Sequence, residues 1–290
     1  MFSFIIPTYN RGHLIVNTLQ SLITQTYPHF EIIVVDDGST DNTEEIVKSI
    51  HSDKIRYFKI PNSERGYARN FGASKATGLY LNFFDSDDIA YPNHLQTAYQ
   101  IISENNNIPF FHLGYDSLGH SKKNTSFSGN KQLLNKNLIK GNPLSCNAVF
   151  IHKDIFQQFR FNEDRTISGL EDWELWLRIS TKYEIKHFPI ITSAIIQHEN
   201  RSVLQTDKNK LIQRVTTFMN IVLNNKNIID NYRPQLHLFK CSCYTYISLH
   251  LALTGKHKKD TLYYLLKGIK ENPSFIFQRR FFAILKHLLK

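Results

Sequence analysis

Between Phe2 and Phe84 short apolar runs alternate with amphipathic stretches, and this alternation constrains the fold more than any other feature of the chain. Phe2 to Ile6, Phe30 to Val35, Ile55 to Lys59 and Leu79 to Phe84 read as strands; Leu14 to Thr26, Asp41 to Ile50 and Ala68 to Ala76 read as the helices between them. Such a succession predicts parallel βαβ units, because a parallel neighbour is reached only through a crossover long enough to hold a helix. Strands this uniformly apolar are covered on both faces, and the loops at their C-terminal ends form the ligand crevice. Three polar segments fall at such ends: Pro7-Thr8-Tyr9-Asn10, Asp36 to Asp41, and Asp85-Ser86-Asp87-Asp88.

The rest of the chain is less regular. From Ser103 to Asn142 it is rich in Asn, Lys and Ser, with further strands expected at Ile108 to Leu113 and Ala148 to His152. Leu170 to Ile179 has helical periodicity, with Leu170, Trp173, Trp176 and Leu177 on one face. Beyond Ser202 only helical patterns remain, at Lys208 to Asn224, Gln235 to Leu253, Asp260 to Glu271 and Phe275 to Leu289, punctuated by Pro234, Gly255 and Pro273. The expected division is a catalytic α/β domain over residues 1–204 and a basic helical region over 205–290. Charge marks the same boundary: the net +10 of the 290 residues lies in the second region, where 15 Lys and Arg face 4 Asp and Glu.

The opening Met1-Phe2-Ser3-Phe4-Ile5-Ile6-Pro7 has no cationic leader and reads as a first strand. No apolar stretch approaches the roughly 20 residues of a spanning helix. Cys146, Cys241 and Cys243 are odd in number and lack metal or redox spacing, so buried, inert thiols in a reducing, cytoplasmic setting are expected.

The acidic turn after the fourth strand carries the most chemistry. Asp85, Asp87 and Asp88 repel one another unless a cation joins them, and an oxygen-only set suits Mg²⁺ or Mn²⁺ bound together with substrate phosphates. Asp37 closes the second strand, where a carboxylate can accept a base N–H; Asp41 reads as a helix cap. Arg69, in the helix before the fourth strand, can offer its fork to a phosphate or pair at the surface with Glu64. Asp172, beside Glu171 in a buried-looking tract, reads either as a general base with raised proton affinity or as an acidic residue favoured at a helix N-terminus. Trp173 and Trp176 read as core over a sugar-stacking face, and His198 as a further metal or phosphate ligand or a structural histidine.

Taken in order, Ile5-Ile6-Pro7-Thr8-Tyr9-Asn10-Arg11, Ser21-Leu22 to Gln25-Thr26-Tyr27, Glu31 to Asp41, Ala68-Arg69-Asn70-Phe71-Gly72, Asp85-Ser86-Asp87-Asp88 and Gly169-Leu170-Glu171-Asp172-Trp173 resemble the family 2 glycosyltransferases. The resemblance spans about the first 200 residues. It implies a GT-A fold: a Rossmann-like, mostly parallel sheet with helices on both faces, followed here by the helical region. It also implies an inverting transfer from a nucleotide diphosphate sugar. On this resemblance Pro7, Tyr9 and Asp37 contact the nucleotide base, Arg69 a phosphate, Asp87 the divalent metal with Asp85 beside it, and Asp172 is the base. His198 falls where some members place a histidine near the diphosphate, although Ile196-Gln197 replace the usual flanking Tyr-Arg.

The implied donor is by default a UDP-sugar, the acceptor a saccharide or lipid-linked hydroxyl, and the product a surface polysaccharide or related glycan. A sugar-1-phosphate nucleotidyltransferase would place a Gly- and Lys/Arg-rich loop where Pro7 to Gly12 stands, and a non-catalytic nucleotide-sugar-binding protein would have no need of Asp85, Asp87 and Asp172. The C-terminal mixture of cations and large apolar residues reads as an interfacial helix on anionic lipid, at the inner face of the plasma membrane, or as a helix packed on the catalytic domain with a solvated basic face. Nucleic acid is not an expected partner, because no binding module accompanies the charge.

Overall fold

The computed structural model describes residues 1–119, 125–127, 132–197 and 207–289. Its first compact unit comprises residues 1–134, 144–175 and 182–198, and its second comprises 135–143, 176–181 and 199–290. The two units therefore do not follow a single cut in the chain.

The first unit begins with the anticipated alternation: β1 (Phe2–Thr8), α1 (Gly12–Ile23), β2 (Phe30–Asp36), α2 (Thr43–Ser49), β3 (Ile55–Lys59), α3 (Glu64–Lys75) and β4 (Tyr80–Phe83). It continues through β5 (Ile89–Ala90), α4 (His94–Glu104), β6 (Phe110–Gly119), β7 (Thr125–Phe127) and β8 (Gln132–Leu133). The chain then passes through α5 (Asn135–Leu138), which belongs to the second unit, and returns to the first for β9 (Val149–His152), α6 (Lys153–Phe159), the start of α7 (Glu171–Ile179), whose residues from 176 on belong to the second unit, and β10 (Lys186–Gln197).

One sheet has the order β3-β2-β1-β4-β9-β6-β10-β5, with β7 beside β6 and β8 beside β10. The first four strands are parallel, as expected. Beyond them the sheet is mixed: β9 runs antiparallel between β4 and β6, while β10 is parallel to β6 and antiparallel to β5. The sequence expectation omitted β10, and its geometry explains why. Its pairing with β6 slips between Phe188 and Ile191 and again between Ile191 and Ser193, around Pro189, which breaks the period of a regular strand.

Both faces of the sheet are covered. On one face Phe4, Ile6, Ile32 and Val34 pack with Ile15, Leu19 and Leu22 of α1 and Leu95 and Ala98 of α4. On the other, α3 lies so close to β1 that a Cβ on Gly72 would stand 2.5 Å from Ile5 Cγ2. The core also holds imidazoles. His94 is fully buried, stacked on Phe4, with Nδ1 2.8 Å from Thr192 Oγ1. His112 and His187 are cross-strand partners whose Nδ1 atoms are 3.0 Å apart.

The second unit is helical. After Asp207, whose side chain accepts the Asn209 and Lys210 amides, come α8 (Lys208–Asn224), α9 (Lys226–Tyr232), α10 (Leu236–Thr254), α11 (Lys258–Glu271) and α12 (Arg279–Leu288). Gly255, in the left-handed conformation at φ +68°, ends α10. The expected helix from Phe275 to Leu289 is divided into a 3₁₀ turn at Pro273–Phe277 and α12, with Gln278 extended between them. Cys241 joins Ala252, Leu265, Phe275 and Ile284 in the core of this unit; all three cysteines are free and buried. No helix among the described residues is long and apolar enough to cross a membrane.

Burial lowers the His94 pKa to about 3. The unfolded chain therefore takes up this proton near pH 6.5 and the folded chain does not, so the stability contribution is complete above pH 6.5 and is lost as pH falls toward 3. Urea midpoints measured from pH 7 to pH 4 are expected to fall, and His94→Gln is expected to flatten that dependence by up to about 1.4 kcal/mol per pH unit.

Candidate active site

Pro7 is compatible with a central strand because pairing of β1 with β4 ends at Ile5 and Phe83, so its missing N–H points past the end of that ladder. The chain then turns through Tyr9, which is half exposed, and Asn10, which adopts φ +51°. Left-handed backbone is tolerated by Asn when local hydrogen bonds hold it. Here the Asn10 amide donates to Ser39 Oγ at 2.9 Å, and Asn10 Oδ1 accepts from the Thr40 and Asp41 amides at 2.8 and 3.3 Å. Asp41 Oδ2 reaches back to the Gly12 amide at the start of α1, at 3.2 Å. The loops after β1 and β2 are thereby joined into one rim.

Asp37 extends that rim. Its carboxylate accepts the Ser63 and Glu64 amides at 2.6 and 2.9 Å, at the start of α3, and the Asn62 side chain at 3.3 Å. Burial raises its pKa, and the two amides partly offset this. Gly38 supplies the left-handed turn at φ +80° that brings Ser39 to Asn10.

The four residues of the acidic turn have different surroundings. The Asp88 amide closes the turn on Asp85 O at 3.3 Å. The Asp88 side chain is buried, accepting the Ile196 amide and Asn147 Nδ2, each at 3.1 Å, so it links β10 and the turn before β9. Asp85 and Asp87 keep side-chain exposures of 40% and 20%. Asp85 Oδ1 accepts from Arg69 Nη2 at 2.8 Å, and Asp87 Oδ2 lies 3.5 Å from Arg11 Nη1. These two partly open carboxylates are oxygen donors of the kind that Mg²⁺ or Mn²⁺ takes. Among the described residues no three carboxylate, His or Cys side chains gather into a ready ligand set, so a cation here would complete its shell with substrate oxygens and water.

Arg69 is not a surface side chain. It is 2% exposed, stands 5.1 Å over the Phe161 ring, and divides its fork between Asp85 and Glu171 Oε1, both at 2.8 Å. Glu171, itself buried, also accepts the Gly169 amide, which orders the turn into α7. Arg69 thus brings Asp172 and the acidic turn to one place. Asp172 lies in the first turn of α7 and accepts the Trp173 amide at 2.7 Å. Burial, then the like charge of Glu171, push its pKa up to about 7; Arg69 and the Trp173 amide only partly oppose them. Trp173 and Trp176 are buried. His198 lies outside the described residues.

Pro7, Tyr9, Asp37, Asp85 and Asp87 lie at or just past the C-terminal ends of β1, β2 and β4, and Asp172 lies in the first turn of α7, whereas Arg69 lies in the middle of α3, which begins earlier than expected, at Glu64. The sequence marks Glu171 only as the neighbouring charge that raises the proton affinity of Asp172, not as a partner of Arg69, and gives no role to Asn10 or Arg11. Adjacency to Asp172 was the available signal for Glu171; nothing in the linear chain connects Arg11 with Asp87.

The description "Glycosyl transferase family 2" matches residues 3–160. The chain belongs to this family. Its relatives include an uncharacterized glycosyltransferase of Rickettsia bellii, 33% identical over 231 residues, covering 77% of this chain and 32% of that protein. They also include the Escherichia coli protein WfgD, named a UDP-Glc:alpha-D-GlcNAc-diphosphoundecaprenol beta-1,3-glucosyltransferase, 29% identical over 180 residues, covering 62% of this chain and 69% of WfgD. The chain spans about a third of the length of the first rickettsial relatives it matches. Among solved structures, residues 1–349 of S. aureus TarS with UDP-GlcNAc align at a TM-score of 0.71 with 20% identity, over 99% of this chain and 88% of that one. That likeness shows the GT-A fold.

Removing the guanidinium would leave Glu171 buried without its principal partner. Arg69→Met is expected to lower unfolding free energy by about 3–5 kcal/mol in urea titrations, and Arg69→Lys by less.

Proposed function

We propose that the protein is an inverting glycosyltransferase that moves a hexosyl or N-acetylhexosaminyl group from a nucleotide diphosphate donor to a saccharide or lipid-linked hydroxyl. The observation that carries this reading is Asp172: a half-buried carboxyl with its pKa near 7, tied through Glu171 and Arg69 to the carboxylate turn. A base is most effective when its pKa lies near the working pH. Pro7, Tyr9 and Asp37 border the nucleotide-base end of the site, Arg69 secures Asp85 near the diphosphate, and Asp85 is a ribose or metal neighbour. Asp87 would hold the cation, Mn²⁺ or Mg²⁺, with His198 as a further ligand. When bound, that ion supplies Lewis-acid stabilisation of the departing diphosphate.

In the transfer itself the acceptor oxygen forms its bond to the anomeric carbon as the bond from that carbon to the diphosphate oxygen breaks. Asp172 takes the hydroxyl proton, and the electron pair leaves with the nucleotide diphosphate. Attack opposite the leaving group inverts the carbon. The names of TarS in its UDP-GlcNAc complex and of WfgD support a UDP-sugar and a lipid-linked acceptor, within assembly of a surface polysaccharide or related glycan.

Because Asp172 must be deprotonated to act, kcat is expected to fall about tenfold per pH unit well below pH 7 and to level off above it. Asp172→Asn is expected to reduce transfer by roughly 100-fold or more while leaving UDP binding within twofold. Full transfer by that variant would refute the assignment.

The reading extends to location: a cytoplasmic enzyme resting on anionic lipid at the inner face of the plasma membrane through its C-terminal helices, in residues 205–290. Arg279, Phe282, Lys286 and Leu289 recur at helical spacing and are all exposed, and Phe277, 79% exposed, precedes them. Apolar side chains flanked by cations suit an acidic lipid interface. The double variant Phe277→Ser, Phe282→Glu is expected to lose flotation with phosphatidylglycerol liposomes at low salt, whereas the parent protein floats; equal flotation would exclude the contact.

A further inference from the structure

Each partly exposed carboxylate of the acidic turn has a cation beside it. Arg69 Nη2 is 2.8 Å from Asp85, and Arg11 Nη1 is 3.5 Å from Asp87. Arg69 is already divided between Asp85 and Glu171, whereas the Arg11 charge stands at Asp87 itself, so a free dication approaching Asp87 would be repelled by the guanidinium it has to displace.

The two arginines are not equivalent. Arg69 is buried, and its withdrawal would strip Glu171 as well as Asp85. The Arg11 backbone is pinned through its amide to Thr43 Oγ1 at 3.2 Å, but its side chain is 21% exposed, and Asp87 is its ionic partner among the described residues. It also stands at the N-cap position of α1, where the helix dipole disfavours a positive charge. Arg11 is therefore fixed in place and weakly held at its tip.

We propose that Arg11 is a stand-in cation: it covers Asp87 in the donor-free protein and yields that carboxylate to a divalent ion only when a nucleotide diphosphate arrives with it. The diphosphate brings negative charge that offsets the repulsion between Arg11 and the ion, and it offers the displaced guanidinium a better partner, since its fork matches phosphate oxygens. Metal and nucleotide binding become mutually dependent, and linkage makes that dependence reciprocal. The proposal rests on the reading of Asp87 as the metal ligand.

The test is Mn²⁺ binding to the full chain, followed by electron paramagnetic resonance of the free ion, with and without UDP. In the parent protein UDP should tighten Mn²⁺ binding strongly. Arg11→Gln should bind Mn²⁺ alone on the order of five- to tenfold more tightly, with a matching loss of the UDP enhancement, while Arg11→Lys stays near the parent. Circular dichroism and the urea midpoint report whether each variant is folded. An Arg11→Gln protein that is folded, with Mn²⁺ affinity no tighter than the parent and the UDP enhancement intact, would overturn the proposal. Asp87→Asn separates the two layers: retention of Mn²⁺·UDP binding would remove the metal reading itself, whereas its loss alongside an unaltered Arg11→Gln protein would remove only the role of Arg11.

Discussion

The site depends on one buried guanidinium. Arg69 comes from α3, Asp85 from the turn after β4, and Glu171 from the start of α7, so one side chain gathers three segments far apart in the chain. A charge this deep is tolerated only when paired and hydrogen-bonded. Its two carboxylate bonds pair the charge through Nη1 and Nη2, while Nε is buried without a hydrogen-bond partner among the described residues, and they also fix the spacing between the acidic turn and Asp172. The pairing explains how several carboxylates share so small a region: some are neutralised by arginine or by amides, and Asp172, the least compensated, has its proton affinity raised.

The remaining acidic residues are distributed by the same accounting of donors. Asp36 accepts the Ser39 amide and the Tyr57 hydroxyl, Asp37 the amides that start α3, Asp41 the first amide of α1, and Asp88 the Ile196 amide. Asp37 and Asp41 join loops at one end of the parallel strands, Asp36 ties the loop after β2 to Tyr57 of β3, and Asp88 ties the acidic turn to β10. Asn10 contributes most per residue: its left-handed backbone turns the chain from β1 into α1 while its side chain receives the neighbouring loop. The rim that borders the site is held by side chains to backbone, as a segment without ladder partners requires.

Much of the first four strands was legible, because apolar runs separated by amphipathic ones admit few other arrangements. Legibility failed at β10, where Pro189 and two register slips erase the period of two, and at Gln278, where an extended residue interrupts a stretch of good helical pattern. The mixed half of the sheet was hidden for a different reason. Strand direction there follows from β9 entering between β4 and β6, a non-local pairing without a local pattern. The sequence also left open whether Arg69 lay at the surface; its 2% exposure follows from contacts with residues 16 and 102 positions away.

By itself the sequence determined the βαβ framework, the loops that face the ligand side, and the residues able to carry the chemistry, since each follows from local periodicity and side-chain type. Only the tertiary structure decided which carboxylate received which cation or amide. Four aspartates with the same side chain, at 37, 85, 87 and 172, differ in what surrounds them: helix amides, a buried arginine, a partly exposed arginine, and a low-dielectric wall beside a like charge. Proton affinity and metal access are set by those surroundings, and they exist only once distant segments are packed together.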